Sequence, residues 1–249
     1  MRQQSASYYY KIGFELIFTT GLKRFVFIPL IVNLVIFAGA FYALYVQLES
    51  LMTSVEAWVP ASLTWITNVL LPLMLLGVLM GFSYIFSTAT NWLAAPFNGL
   101  LAEKVEEHIR GKSHHLPTGG SGAGAMIKDI PRSLAREWKK LKYYLPRAIG
   151  FIILSIIIPV VGPIIWFLFT AWMMAIQYCD YAFDNHRIDF DEMKYSLRQQ
   201  KGLVFSFGGL TTVLAMIPFV NLVLMPVAIC TATAMSLENF AELDELGRT

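Results

Sequence analysis

Four stretches without a single Asp, Glu, Lys or Arg set the terms for this chain: residues 25–48, 57–102, 148–179 and 202–237. A helix that crosses a bilayer needs about 20 mostly apolar residues, and every stretch is at least that long. Charged residues make up only 14% of the 249 residues, against about 25% in an ordinary soluble domain. Too little charge is available to coat a water-facing surface of this size. The expectation is one all-α integral membrane domain covering 1–249. The first 24 residues are mixed and aromatic and read as no cleavable leader. Cys179 and Cys230 sit in or beside apolar runs and read as buried thiols rather than a disulfide.

Lys and Arg collect on the cytoplasmic flanks of membrane helices. Arg2, Lys11, Lys23 and Arg24 precede the first run, and ten cations between Lys104 and Arg147 follow the second. The connector between them carries Glu49 and Glu56 and no cation. This places the N-terminus and residues 103–147 in the cytoplasm and the 49–65 connector outside, with transmembrane spans at 25–47 and 66–90. Trp58 and Trp65 fall where an outer aromatic belt belongs. The third and fourth runs are interrupted, by Pro159, Gly162 and Pro163 and by Pro218, Asn221 and Pro226. The pieces are short for a hydrocarbon core of ~30 Å. The loop between the two runs is basic, with Arg187, Lys194, Arg198 and Lys201. Re-entrant hairpins at 148–179 and 203–237 keep that loop and the C-terminus cytoplasmic, whereas four full spans with proline kinks would put the loop outside. Hairpins are the favoured reading. Broken backbone at depth must be covered by protein or line a wet cavity, which implies neighbours and an oligomer.

Residues 111–125 form a Gly-rich loop around His114 and His115. The segment 127–144 then places Ile130, Leu134, Trp138 and Leu141 at helical spacing within a basic sequence. That is the pattern of an amphipathic helix lying along the inner leaflet, and residues 7–20 offer a second.

Chemistry-bearing groups are few. Gly21-Leu22-Lys23-Arg24 stands at the start of the first span, where free backbone N–H groups and a partial positive charge meet two cations. Those are the makings of an oxyanion site, although two cations there also serve as headgroup anchors. Asn33, Asn91, Asn98 and Asn221 lie in or beside apolar runs, where polar side chains line a path or bond neighbouring helices. Glu103 and Arg110 are seven apart, hence on one face of a helix. The acidic group Asp180, Asp184, His186, Asp189, Asp191 and Glu192 matches no metal-binding spacing, and the nucleophile-elbow, P-loop and zincin motifs are missing. No catalytic residue, metal, cofactor or nucleic-acid partner is expected.

Several strings resemble the CysZ family of bacterial sulfate permeases: Asn91 to Glu103 (NWLAAPFNGLLAE), Tyr144 to Ala148 (YLPRA), Ala175 to Tyr181 (AIQYCDY) and Phe183 to His186 (FDNH). The resemblance runs from about residue 8 to 237. It implies uptake of sulfate across the inner membrane to feed assimilation into cysteine. It also implies two long transmembrane helices, two pairs of partly penetrating helices and a homo-oligomer built from dimers. The family's sulfate-binding Gly-Leu-Arg motif maps onto Gly21, Leu22 and Lys23, with Arg24 next. Lysine in the third place lacks the guanidinium fork, so Arg24 becomes the main side-chain contact. Asn33, Asn91, Asn98, Glu103, Arg110 and Asn221 are the candidates for the path. A non-transporting scaffold or sulfate-sensing accessory protein is the competing reading.

Overall fold

A computed structural model describes residues 4–58, 64–111, 123–240 and 243. Within these the chain is helical, with eight helices and no strand among the described residues: α1 Ala6–Ile17, α2 Lys23–Trp58, α3 Thr64–Arg110, α4 Ala123–Ile157, α5 Gly162–Asn185, α6 Phe190–Gln199, α7 Lys201–Ala215 and α8 Pro218–Asn239. Most of the Gly-rich loop with His114 and His115 lies outside the described residues, as do the side chains of Trp58, Trp65, Asn91 and Ile130. The chain divides into two compact units, one of Phe27–Ala94 and one of the chain up to Val26 together with everything from Ala95 onward.

The 27–94 unit consists of the long arms of α2 and α3. Phe37 and Phe41 of α2 meet Phe82 and Phe86 of α3, the closest pair being Phe37 and Phe86 at 5.0 Å between ring centroids. Many other described residues of these arms are exposed. Over Lys23–Leu48 the mean hydropathy is 2.3, yet only 6% of the apolar window is buried. A 26-residue helix is ~39 Å long, enough to cross the hydrocarbon. The other helix that passes on length and composition is Gly162–Asn185, whereas the apolar part of α3 among the described residues is the shorter Pro72–Ser83. The α3 backbone does run unbroken through 66–90.

The second unit has a true core. Tyr9 and Ile17 of α1, Ile176 and Phe183 of α5, Phe207 of α7 and Ile229 and Met235 of α8 are all fully buried. Small residues let these helices approach. A Cβ on Gly208 would collide with the carbonyl of Ala171, and one on Gly13 with the Thr231 hydroxyl. Some polar groups that enter the core pair across helices, as Tyr10 Oη with Thr211 Oγ1 at 2.5 Å and Asn239 Nδ2 with Tyr9 Oη at 2.7 Å.

Both breaks expected at proline occur, and each yields a helix–turn–helix pair. Residues 158–161 turn α4 into α5, with Pro163 in the first turn of α5. Ser155 Oγ donates to the Gly162 carbonyl across this turn at 3.2 Å. Met216 and Ile217 turn α7 into α8, and Pro218 starts α8 where its missing N–H costs nothing. Asn221 and Pro226 do not break the chain; they lie within α8. Two extents differ from the sequence reading. The amphipathic segment and the first hairpin arm are a single 35-residue helix, α4. Pro146 removes one donor from it, but packing on α5 carries the helix through: Trp172 Nε1 donates to Tyr143 Oη at 3.2 Å, and Tyr144 and Phe151 both lie against Phe169. Helix α5, in turn, continues beyond its apolar stretch to Asn185, because cations on α4 neutralise its carboxylates.

Candidate functional site

Helix α1 ends at Ile17 and α2 begins at Lys23, so Gly21 to Arg24 form one tight corner. Gly21 has φ +99°, a left-handed conformation that glycine adopts without a Cβ penalty, and its outer side opens onto space. The Thr19 carbonyl accepts the N–H groups of Leu22 at 3.1 Å and Lys23 at 3.2 Å. Leu22 and Val26 are buried and hold the corner against the unit. Lys23 and Arg24 are exposed and meet no carboxylate among the described residues. The Arg24 guanidinium carbon lies 4.9 Å from the Phe25 ring centroid. Two of the four backbone donors expected here are therefore spent on Thr19. Those of Gly21 and Arg24 make no bond to another backbone group among the described residues. The corner brings together two N–H groups without a backbone partner and two exposed cations that meet no carboxylate among the described residues, a combination that suits a tetrahedral oxyanion.

The other expected site residues are dispersed. Asn33 is half-buried on α2, Asn221 is exposed on α8 and Glu103 is half-buried beside Lys104, 3.9 Å away. The side chain of Asn91 lies outside the described residues. Asn98 and Arg110 occupy one face of the last turns of α3, with Ala102 and Glu106 between them at four-residue spacing. That face is turned into the unit. Asn98 Nδ2 donates to Tyr181 Oη at 3.2 Å and approaches Met225 Sδ at 3.6 Å. Asn185 Nδ2 donates to the Gly99 carbonyl at 3.0 Å. Arg110 bonds Glu106 at 3.2 Å and the Leu243 carbonyl at 3.0 Å. His186 Nε2 lies 2.9 Å from both Glu106 oxygens, and both residues are buried. Asn98 is an interhelical tie here, and Arg110 ties the end of α3 to the Leu243 carbonyl. Glu106 was overlooked in the sequence, although its four-residue spacing from Arg110 was a usable signal.

The acidic group at the end of α5 is also structural. Asp180 accepts from Arg136 Nε at 2.8 Å and lies 3.2 Å from Lys140 Nζ. Asp184 binds Arg132, and lies 3.3 Å from Arg136. Asp189, at the N-cap of α6, binds Lys139 at 2.7 Å. Burial alone would lower the pKa of the Lys140 ammonium, but Asp180, Tyr181 and Glu137 outweigh it and hold the value above that of ordinary lysine. The Lys139 hydrogen bond and the Asp191 N–H hold the Asp189 carboxyl down at about 2. Asp180, Asp184 and Asp189 each face a cation, although burial still holds the Asp184 carboxyl above the usual carboxylate range against the pull of Arg136 and Arg132. Among the described residues no group of three His, Cys, Asp or Glu side chains could hold a metal ion.

Apolar helices of spanning length, a chain that is helical among the described residues, and a charged end define a helical membrane protein. Residues 9–226 match the family model described as sulfate transporter CysZ/etoposide-induced protein 2.4. The chain is 48% identical over 245 residues to a protein of Vibrio parahaemolyticus named sulfate transporter CysZ, covering 96% of each. It is 47% identical over 236 residues to the protein of that name in Vibrio cholerae, covering 93% of this chain and 92% of the relative. It is 48% identical over 236 residues to the one in Salmonella typhimurium, covering 93% and 91%. The chain belongs to the sulfate transporter CysZ/etoposide-induced protein 2.4 family.

Proposed function

We propose that this protein carries sulfate across a bacterial inner membrane for assimilation into cysteine, and that the anion is first held at the Gly21–Arg24 corner. The observation that carries the proposal is the corner itself: two cations with no carboxylate partner, beside two N–H groups left over from the turn. Sulfate is a dianion, and removing its water is costly unless donors replace it. Backbone N–H groups supply direction there, and Arg24 supplies a fork that matches two oxyanion oxygens. Lys23 acts through its ammonium, since its N–H is committed to Thr19. Asn33, Glu103 and Asn221 are the accessible candidates for the path, and Asn91 joins them by position. Asn98 and Arg110 serve it by fixing α3. No catalytic step or cofactor enters this reading, and flux follows a gradient.

The topology follows the sequence reading, with N- and C-termini in the cytoplasm, α2 and α3 as full spans and both hairpins entering from the cytoplasmic side. The hairpin turns support it. Val160 is 87% exposed and Ile156 74% exposed, and Met216 stands bare at the other turn. From Arg147 to Val160 is ~20 Å of helix and turn, about two-thirds of a hydrocarbon core. Bare turns at that depth require neighbours, which fits a homo-oligomer built from dimers.

Changing Lys23 and Arg24 together to Ala should abolish sulfate binding measured by calorimetry. Radiolabelled sulfate uptake into proteoliposomes should fall to background, with the unfolding temperature unchanged because both side chains are exposed. Undiminished binding would reject the corner. Wild-type vesicles that take up no sulfate would instead favour a scaffold.

A further inference from the structure

Helix α4 is a basic amphipathic helix, and three of its cations face the wrong way for a headgroup-binding one. Arg132, Arg136 and Lys140 point into the unit and pair with Asp180 and Asp184, while Lys139 is taken by Asp189. Arg136 and Asp180 keep only 10% and 3% of their side-chain surface. The outward face is apolar: Leu134 is 41% exposed, Trp138 57%, Leu141 43% and Leu145 50%. The stripe continues without a break into Ile149, Ile152 and Ile156 on the hairpin arm, because α4 is one helix.

We infer that the ion pairs between α4 and the α5–α6 end act as an orienting clasp, which turns the apolar stripe Leu134–Leu145 into the lipid interface and makes α4 a membrane contact that does not depend on anionic lipid. The inference rests on the bilayer reading of the hairpins and adds which face of α4 meets lipid and what holds it there.

Three observations name the bilayer as the occupant. The stripe is continuous with an arm whose exposed residues are Ile149, Ile152, Ile153, Ile156 and Ile157, with Gly150 among them. Its edge carries the groups that favour an interface. Lys142 Nζ lies 5.6 Å from the Trp138 ring centroid and the Arg147 guanidinium carbon 3.8 Å from that of Tyr143, and neither cation meets a carboxylate among the described residues. Arg132, Arg136, Lys139 and Lys140, which would otherwise seek lipid phosphates, are already neutralised within the protein. In a helix held by phosphates the roles would be reversed, with Arg132, Arg136 and Lys140 outward and the leucines packed on α5.

The test uses the full-length protein with Trp138 as the sole tryptophan, the other five being changed to Phe, reconstituted into phosphatidylcholine vesicles. Trp138 should lose most of its emission to acyl-brominated phosphatidylcholine and little to aqueous iodide. The result should be the same whether or not the vesicles contain phosphatidylglycerol. Asp180→Asn with Asp184→Asn should release α4 and raise iodide quenching of Trp138. Strong iodide quenching of the parent protein overturns the inference, as does bromolipid quenching that appears only with phosphatidylglycerol. Quenching by neither overturns it too, because a second copy of the chain would then cover the stripe. A companion protein with Trp166 alone, beside the first hairpin turn, separates the two levels. Trp166 quenched by bromolipid while Trp138 is not removes only the clasp inference, whereas Trp166 unquenched removes the bilayer reading beneath it.

Discussion

Glu106 and His186 illustrate what a single residue does in this protein. A carboxylate with 1% exposure is tolerable only because Arg110 and His186 both face it. Removing one partner of a buried pair strands the other's charge, at a cost of about 3–5 kcal/mol. Glu106→Ala should therefore lower the unfolding temperature in detergent sharply, whereas Glu103→Ala, in a partly exposed pair, should hardly move it. Asp189 makes a pH prediction. Its carboxyl is held at about 2 in the folded protein, below the ~3.9 of an unfolded chain. A depressed value stabilises the fold above the unfolded pKa and loses that contribution as pH falls through the folded one. The pair with Lys139 should thus weaken between about pH 4 and pH 2. Asp189→Asn should flatten that part of the stability profile, read by thermal melts across pH. The pair is more than half exposed, so the effect is small.

At the scale of helices, close approach is the governing quantity. Gly208 and Gly209 are neighbours on α7 with opposite roles. A methyl on Gly208 would enter the Ala171 carbonyl, while one on Gly209 would reach no nearer than 3.8 Å from the Phe167 ring. Gly208→Ala should destabilise by about 1–3 kcal/mol through overpacking. Gly209→Ala should be neutral or stabilise by about 0.5–1 kcal/mol through the loss of glycine's backbone entropy. Thermal unfolding of the two variants in the same detergent separates them. Helix extents follow the same logic. Pro146 did not end α4 because aromatic contacts with α5 lie on both sides of it, whereas Pro159 and Pro218 each sit at a turn.

For the whole molecule the question is which side of the membrane the α5–α6 end occupies. Asp191 is well suited to ask it, with 82% of its side chain exposed. In a protein with Cys179 and Cys230 replaced by Ala, Asp191→Cys should react with an impermeant thiol reagent only from the cytoplasmic face. Reaction only from outside would turn the hairpins into full spans. The replaced thiols are both buried, so they contribute little background.

Lipid as the solvent could be read directly from the residues, because four uncharged runs in 249 residues leave no other medium that covers them. Proline likewise marked both turns, with Gly162 at the first, since its backbone limits act locally. The Gly21–Arg24 corner was legible as two cations before a helix, and its conformation followed from the glycine. Partnership was not legible. Arg132, Arg136 and Lys140 are distant in sequence from Asp180 and Asp184, and only the packing of α4 on α5 brings them together. The packing of α3 on α5 and α8 likewise made Asn98 a tie, and Arg110 is held by Glu106 and the Leu243 carbonyl. Periodicity states that a helix has two faces. Which face is buried depends on what lies opposite, and that is a property of the assembled fold.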